Sequence, residues 1–283
     1  MQRTMGTSMS GSPSMLGSVF PMTSNMFSRP FLLMAWLTAG ILLFTQSTQA
    51  AIKDSTDAIN KAGMQRMLTQ RMLMDYALIG QGIKYQQPGA DLKETIALFE
   101  RHLQELTAFP VNDEVNKALK AVTTQWHALK PVLTATPDRN QAASLRDEMD
   151  RLLDASHRLV SLIAAASTDK SAEIVNRSGR QRMLSQRMAS LYMLRSWRIE
   201  GFDFAPAFKQ AVDEFKANHA KLEHSSLTTP DIKKQLNIAN KAFQWFDLSA
   251  KTNSDKFIPS LILRSSNRIL DAMNNATKMY AEK

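Results

Sequence analysis

A chain of 283 residues, 44% hydrophobic and 22% charged, is long enough for one or two globular domains with substantial cores. It contains no cysteine, which excludes disulfide bonds, cysteine metal sites and a lipoprotein anchor. The net charge of +9 favours small anions or acidic surfaces as partners. Nucleic acid is not expected, because no dense Lys/Arg run and no aromatic-interleaved basic patch is present.

The first fifty residues differ from the rest of the chain. Residues 1–28 lack acidic groups, and a basic Arg29 then precedes an apolar run at 31–44. A basic flank, a short apolar core and a small-residue end are typical of a secretory signal peptide. Fourteen apolar residues are fewer than the roughly 20 that a membrane-spanning helix needs. We therefore interpret residues 1–50 as a signal peptide and expect a periplasmic protein, with an uncleaved membrane anchor as the alternative.

The remainder of the chain is predicted to be almost entirely helical. Apolar residues recur at helical spacing, and no alternating β pattern with hairpin turns stands out. Prolines mark the helix boundaries. The predicted helices span 52–84, 91–108, 113–130 and 139–167 in the first half, and 169–199, 206–224, 231–250 and 259–281 in the second.

One stretch of this sequence occurs twice. Residues 59–72 read INKAGMQRMLTQRM and residues 175–188 read VNRSGRQRMLSQRM, with nine of fourteen positions identical. We call these segments the signature helices. Self-similarity at a fixed period indicates a duplicated structural unit. The identical positions include polar and cationic residues, which core packing alone does not require, so function is expected here; Met64 alone changes character, to Arg180.

The duplication covers the whole exported chain. RLLDA at 151–155 corresponds to RILDA at 268–272, and Trp126 is matched to Trp245 as an equivalent core anchor. Four amphipathic helices with short connections pack as an up-down bundle. The predicted fold is therefore all-α, with two tandem four-helix up-down bundles.

The two bundles are assigned to residues 51–167 and 168–283. Between Ala142 and Trp197 only Gly179 interrupts the helical pattern. A long continuous helix is therefore predicted to join the bundles.

On a helix the signature divides into faces. At about 100° per residue, Gln70 lies about 40° and Gly63 about 60° from Arg66, whereas Arg71 lies about 140° away. Glycine, arginine and glutamine thus share one stripe. The second copy repeats this arrangement with Gly179, Arg182 and Gln186.

Two interpretations of this stripe follow from the residues. Glycine inside a helix costs roughly 1 kcal/mol relative to alanine, so its presence in both copies indicates close approach by another helix or by a ligand. The planar arginine fork suits a planar oxyanion, glutamine adds an amide donor, and flanking Met67 and Met183 would exclude water. From the residues alone, a helix–helix packing seam is favoured over anion recognition.

The signature also resembles a known family. Both copies are similar to the signature of the PilJ-type N-terminal domain of type IV pili methyl-accepting chemotaxis transducers, and they resemble the P-box of the nitrate/nitrite sensor kinases NarX and NarQ. The resemblance extends over residues 52–283. It implies extracytoplasmic four-helix bundles that sense a small oxyanion, nitrate or nitrite first, although ligands are less uniform in the pili-transducer branch.

The resemblance also assigns residues to the ligand. In the sensor kinases the anion lies between the first helices of two subunits, where an arginine from each and backbone near a glycine hold it. By motif position the arginine falls on Arg66 and Arg182, and the glycine on Gly63 and Gly179. The predicted ligand-binding set is Gly63, Arg66, Met67, Gln70, Gly179, Arg182, Met183 and Gln186.

The partners follow from this assignment. The signature helices are expected to pair either within one chain or between the two chains of a homodimer, and a continuous joining helix would favour the homodimer. Since no HAMP, kinase or methyl-accepting region follows in the sequence, a membrane-bound signalling or transport partner is expected to transmit the signal.

No catalytic site, metal site or cofactor is predicted. Five scattered histidines form no HExxH or carboxylate–histidine cluster and are expected at the surface or at boundaries: His102, His127, His157, His219 and His224. The acidic residues at 147–150 alternate with arginines as on a solvated helix face, and no nucleophile elbow is present. The rival to a sensor is a periplasmic adaptor that docks through the signature helices and binds no small molecule.

Overall fold

The computed structural model describes residues 51–109, 111–251 and 257–283, so the predicted signal peptide lies outside the described residues. Within these ranges the chain is helical and has no strand, which confirms the all-α prediction. None of the described helices is long and apolar enough to cross a membrane. The helices are α1 (Ser55–Gly80), α2 (Pro88–Ala108), α3 (Asp113–Thr134), α4 (Ala142–Ala166), α5 (Ala172–Ser196), α6 (Phe204–Glu223), α7 (Pro230–Lys251) and α8 (Pro259–Ala281), with one 3₁₀ turn at Arg139–Gln141.

Local sequence chemistry sets the helix starts. The carboxylate of Asp54 accepts a hydrogen bond from the Asp57 backbone N–H at the start of α1, and the side chain of Asn112 does the same for α3. Pro88 and Pro259 occupy first helical positions, where the missing N–H costs nothing.

Each copy of the repeat forms a four-helix bundle. In the first copy α1 packs against α2 and α4, and α3 packs against α4. The second copy repeats these contacts, with α5 against α6 and α8, and α7 against α8. Short connections between neighbouring helices make both bundles up-down, as predicted.

The predicted continuous helix between the copies is wrong, because α4 ends at Ala166 and α5 begins at Ala172. The connecting residues hydrogen-bond locally: the Asp169 N–H donates to Oγ of Ser167 at 3.1 Å, and the Ser171 N–H donates to Oδ1 of Asp169 at 2.8 Å. Serine and aspartate side chains of this kind compete with the helical backbone pattern. The chain therefore turns here, and α5 returns alongside α1.

The two signature helices pack against each other, and they run parallel. Near their N-terminal ends Oγ1 of Thr56 on α1 donates to Oδ2 of Asp169, in the turn directly before α5, at 2.6 Å. At their C-terminal ends Nε2 of Gln81 donates to the Met193 carbonyl at 3.0 Å, and Oγ of Ser196 donates to Oε1 of Gln81 at 2.8 Å. The copies thus meet around an approximate two-fold axis along α1 and α5, which is the within-chain alternative of the two predicted pairings.

The predicted match of Trp126 with Trp245 is also wrong. Trp126 is buried with its ring centroid 4.5 Å from that of Phe99, and the same 4.5 Å contact in the second copy joins Phe215 to Phe243. Trp245 is 64% exposed. Trp245 follows Phe243 by two residues on the same helix, which is a rotation of about 200°, so its side chain points away from the core.

Gly80, the last residue of α1, offers a direct test of this packing. A Cβ there would lie 2.1 Å from Cζ2 of the Trp197 ring, whereas a Cβ on Gly89 would meet nothing within 4 Å. We expect Gly80→Ala to lower the free energy of unfolding by about 2 kcal/mol, because the indole has to move out of a packed position. Chemical denaturation of this variant and of the matched control Gly89→Ala checks the expectation, and equal stabilities of the two variants would contradict it.

Candidate anion-binding site

Arg66 and Arg182 converge in the seam between α1 and α5. A Cβ built on Gly63 would lie 3.4 Å from Nη2 of Arg66 and 3.5 Å from Nη2 of Arg182. A Cβ built on Gly179 would lie 3.4 Å and 3.1 Å from the same two atoms. One guanidinium group from each copy therefore faces both glycines, which brings together four residues of the predicted set.

Each arginine reaches across the seam to the other copy. Nη2 of Arg66 donates to the Asn176 carbonyl at 3.1 Å. Nη2 of Arg182 donates to Oδ1 of Asn60 at 2.9 Å and to its carbonyl at 3.5 Å. Asn60 and Asn176 are identical positions of the repeat, so the same crossed contact forms in both directions.

Each arginine also contacts the fourth helix of its own copy. Nη1 of Arg66 lies 3.2 Å from Nδ1 of His157 on α4, and Nη1 of Arg182 donates to Oδ1 of Asn274 on α8 at 3.4 Å. Sequence reasoning did not place these two residues in the site. The sequence does show that the two positions are equivalent, because the alignment of RLLDA with RILDA also aligns His157 with Asn274.

The two guanidinium groups are buried and have no salt-bridge partner among the described residues. Arg66 is 0% and Arg182 is 3% exposed. In the part of the chain that the structure describes, neither is paired with a carboxylate, and Nε of each has no hydrogen-bond partner. Burying a charge in this way is expensive.

This environment lowers the pKa of both arginines. Burial, together with the positive charges of Arg180 and Arg182, lowers the pKa of Arg66 to about 9, although the negative charge of Glu214 acts in the opposite direction. Burial alone lowers the pKa of Arg182 to about 10. Both groups remain cationic at neutral pH, so an anion between them would offset their desolvation and their repulsion.

The second arginine of each signature has a different environment, as its place on another helix face predicts. Arg71 forms salt bridges with Asp75 at 3.6 Å and with Asp91. Arg187 binds Asp150 through both terminal nitrogens, at 2.5 and 3.2 Å. These arginines are neutralised within the fold and stabilise the bundle.

The predicted glutamines lie in the seam but hydrogen-bond away from the arginine pair. Oε1 of Gln70 accepts from Oγ of Ser190 at 3.2 Å, and Oε1 of Gln186 accepts from Nη1 of Arg71 at 3.3 Å. Nε2 of Gln70 has no hydrogen-bond partner among the described residues and keeps a donor available. The remaining two predicted residues, Met67 and Met183, are buried in the core.

Another identical glutamine, whose role the sequence did not reveal, is structural. Nε2 of Gln65 donates to the Phe99 carbonyl at 3.1 Å, and Nε2 of Gln181 donates to the Phe215 carbonyl at 3.1 Å. These equivalent bonds fix α2 on α1 and α6 on α5. Part of the identity between the copies therefore reflects helix docking.

Several cavities lie outside the arginine pair. A cavity of about 150 Å³ between α4, α5 and α6 is lined in part by Arg180 and Glu214, which form a salt bridge beside His157. A cavity of about 760 Å³ lies near the C-terminal end of α5, among Tyr192, Phe202 and other residues. None of the predicted ligand-binding residues lines the larger one.

Two copies of a four-helix unit, joined through parallel signature helices that carry a buried arginine pair, define a duplicated helical bundle protein. The model of the PilJ family, described as type IV pili methyl-accepting chemotaxis transducer N-term, matches residues 48–152 and 163–244. The chain belongs to this family and is thereby related to the sensory domains of chemotaxis transducers, which are typically extracellular or periplasmic. Comparison with curated proteins and with solved structures gave no match.

Proposed function

We propose that the protein is a periplasmic, sensor-type binding protein for a small oxyanion, with nitrate or nitrite as the first choice. The observation that carries this proposal is the meeting of two buried guanidinium groups, Arg66 and Arg182, at the pseudo-two-fold seam, neither of which forms a salt bridge among the described residues. The resemblance to the nitrate/nitrite sensor kinases supports the choice of ligand.

The glycines favour a small ligand. Gly63 and Gly179 have no Cβ, and a Cβ at either position would lie 3.1 to 3.5 Å from the Nη2 atoms of Arg66 and Arg182. An anion oxygen at hydrogen-bonding distance, about 3 Å from the same nitrogens, needs this space. A planar oxyanion can accept paired N–H groups from each fork, and burial strengthens the attraction.

A single chain supplies both halves of the proposed site. In the resemblance to the sensor kinases, each of two subunits contributes one arginine. Here α1 and α5 of one chain contribute Arg66 and Arg182, so a homodimer is not needed to complete the site. We propose that a membrane-bound signalling or transport partner recognises the loaded protein.

The rival adaptor function would use the signature helices as a docking seam for another protein. These helices are already packed on each other, and α1 is buried along much of its length. The packing seam that the residues alone favour therefore joins the two copies of one chain. This packing leaves Arg66 and Arg182 buried and without a salt bridge among the described residues.

Anion titration tests the proposal. We expect nitrate or nitrite to stabilise the purified chain, by about 2.7 kcal/mol at a ligand concentration 100 times Kd. Isothermal calorimetry and thermal unfolding with nitrate, nitrite, sulfate and chloride at constant ionic strength provide the measurement. Equal effects of all four salts, or no effect of any, would contradict a specific oxyanion site.

A further inference from the structure

The arginine pair is symmetric, but its surroundings are not. Arg66 contacts His157, whereas Arg182 contacts the equivalent Asn274. A second histidine, His102 on α2, corresponds to Asn218 on α6. The first copy therefore has histidine at two positions where the second has asparagine.

The contacts of His157 require a neutral imidazole. Its Nδ1 lies 3.2 Å from Nη1 of Arg66, and Nη1 of Arg180 lies 3.3 Å from both ring nitrogens. Arginine can only donate hydrogen bonds, so Nδ1 has to accept the one from Arg66. His157 is thus held between two cations, one of which belongs to the proposed anion site.

The charges around His157 come from several helices. Arg66 on α1 and Arg180 on α5 oppose its protonation, while Glu214 on α6 favours it; burial and the two arginines lower the pKa of His157 to about 4. On its own helix Asp154 and Arg158 are exposed. No group on α3, which also packs on α4, is among the causes of this shift.

We propose that His157 is the proton-linked residue of the anion site, an inference that rests on the proposed function. His157 takes up a proton when an oxyanion binds between Arg66 and Arg182. The bound negative charge offsets the repulsion that keeps the imidazole neutral. Protonation turns Nδ1 from an acceptor into a donor, which releases Nη1 of Arg66 to bind the anion. Anion and proton therefore favour each other's binding.

The sign of the pH dependence follows from linkage. Anion binding raises the pKa of His157, so the added affinity is fully present below the pKa of the free protein and is lost as the pH rises through the pKa of the complex. Each unit of pKa rise corresponds to up to about tenfold in affinity. We expect nitrate affinity to increase about tenfold between pH 7 and pH 5 as the pKa returns toward its ordinary value.

Nitrate is the suitable probe because its charge does not change over this pH range. We propose calorimetric titration of the purified full chain at pH 5, 6 and 7, in two buffers of different ionisation enthalpy, which yields the number of protons taken up. His157→Asn and His102→Asn form a matched pair, since each introduces the asparagine of the other copy. We expect proton uptake and the pH slope in the wild type and in His102→Asn, and neither in His157→Asn.

His102 is a sharp control because it resembles His157 in its titration but not in its contacts. Its pKa is also lowered to about 4, chiefly by burial and in small part by the charge of Arg182. Among the described residues, however, no hydrogen bond joins His102 to Arg182. Loss of the pH slope in His102→Asn, or its retention in His157→Asn, would overturn the assignment. NMR titration of the His157 ring with and without nitrate provides a readout that needs no variant, and an unchanged pKa also overturns it. Nitrate binding without proton uptake defeats this inference alone, whereas no binding at any pH defeats the proposed function as well.

Discussion

Replacing Arg66 or Arg182 with methionine should abolish the stabilisation of the protein by nitrate. Each guanidinium supplies half of the positive charge and half of the N–H donors at the seam, so one half-site retains little affinity. We expect the nitrate-dependent rise in melting temperature to vanish in Arg66→Met and in Arg182→Met. Thermal unfolding over a nitrate series measures this, with calorimetry as the direct check.

The matched control is an arginine of α5 outside the pair. Arg177 is partly exposed and forms a salt bridge with Glu173 at 2.6 Å. Arg177→Met should keep the full nitrate response. Arg66→Lys, which retains charge but loses the planar fork, should bind nitrate at least about tenfold more weakly than the wild type. A full nitrate response in Arg66→Met would place the anion elsewhere.

The anion-free stability of these variants is equally informative. Methionine at position 66 removes the cost of a buried charge and its repulsion by Arg182, but it also removes one hydrogen-bond donor from His157 and one from the Asn176 carbonyl. The relief of the charge and the loss of the hydrogen bonds oppose each other, so we expect a net change below about 2 kcal/mol. A much larger loss would indicate that Arg66 serves mainly to hold the two copies together.

The sequence predicted the parts of this site that depend on local periodicity. Helical projection separated Arg66 from Arg71, and the structure gives them different environments: Arg71 is ion-paired, whereas Arg66 forms no salt bridge among the described residues. The bundles followed from apolar spacing and from the duplication. Both inferences use interactions within one helix or between neighbours in sequence, where spacing determines geometry.

The errors arose where distant packing or a few local hydrogen bonds decide the outcome. The turn between α4 and α5 depends on Ser167, Asp169 and Ser171, and apolar periodicity does not register such contacts. Because this turn folds α5 back onto α1, the geometry of the whole site depends on it. His157 was missed for a similar reason, as it joins the site only through the packing of α4 on α1.

Gly179→Ala should separate the two interpretations of the signature glycine. A Cβ at this position would lie 3.1 Å from Nη2 of Arg182 and 3.4 Å from Nη2 of Arg66. Both neighbours are flexible side-chain ends that can yield by a few tenths of an ångström. Alanine also favours the helix over glycine by about 1 kcal/mol. We therefore expect the anion-free protein to be as stable as the wild type or more stable.

The same methyl group occupies the space that both guanidinium groups face, so nitrate affinity should fall about a hundredfold, which corresponds to about 2.7 kcal/mol. At Gly63 the equivalent distances are the ordinary contacts of 3.4 and 3.5 Å, and Gly63→Ala should cost less affinity than Gly179→Ala. Denaturant unfolding and calorimetry on the same samples separate the two effects. If alanine destabilises the fold and leaves nitrate affinity intact, the glycines serve helix packing. A gain in stability with a loss of affinity means instead that they keep space open for the anion.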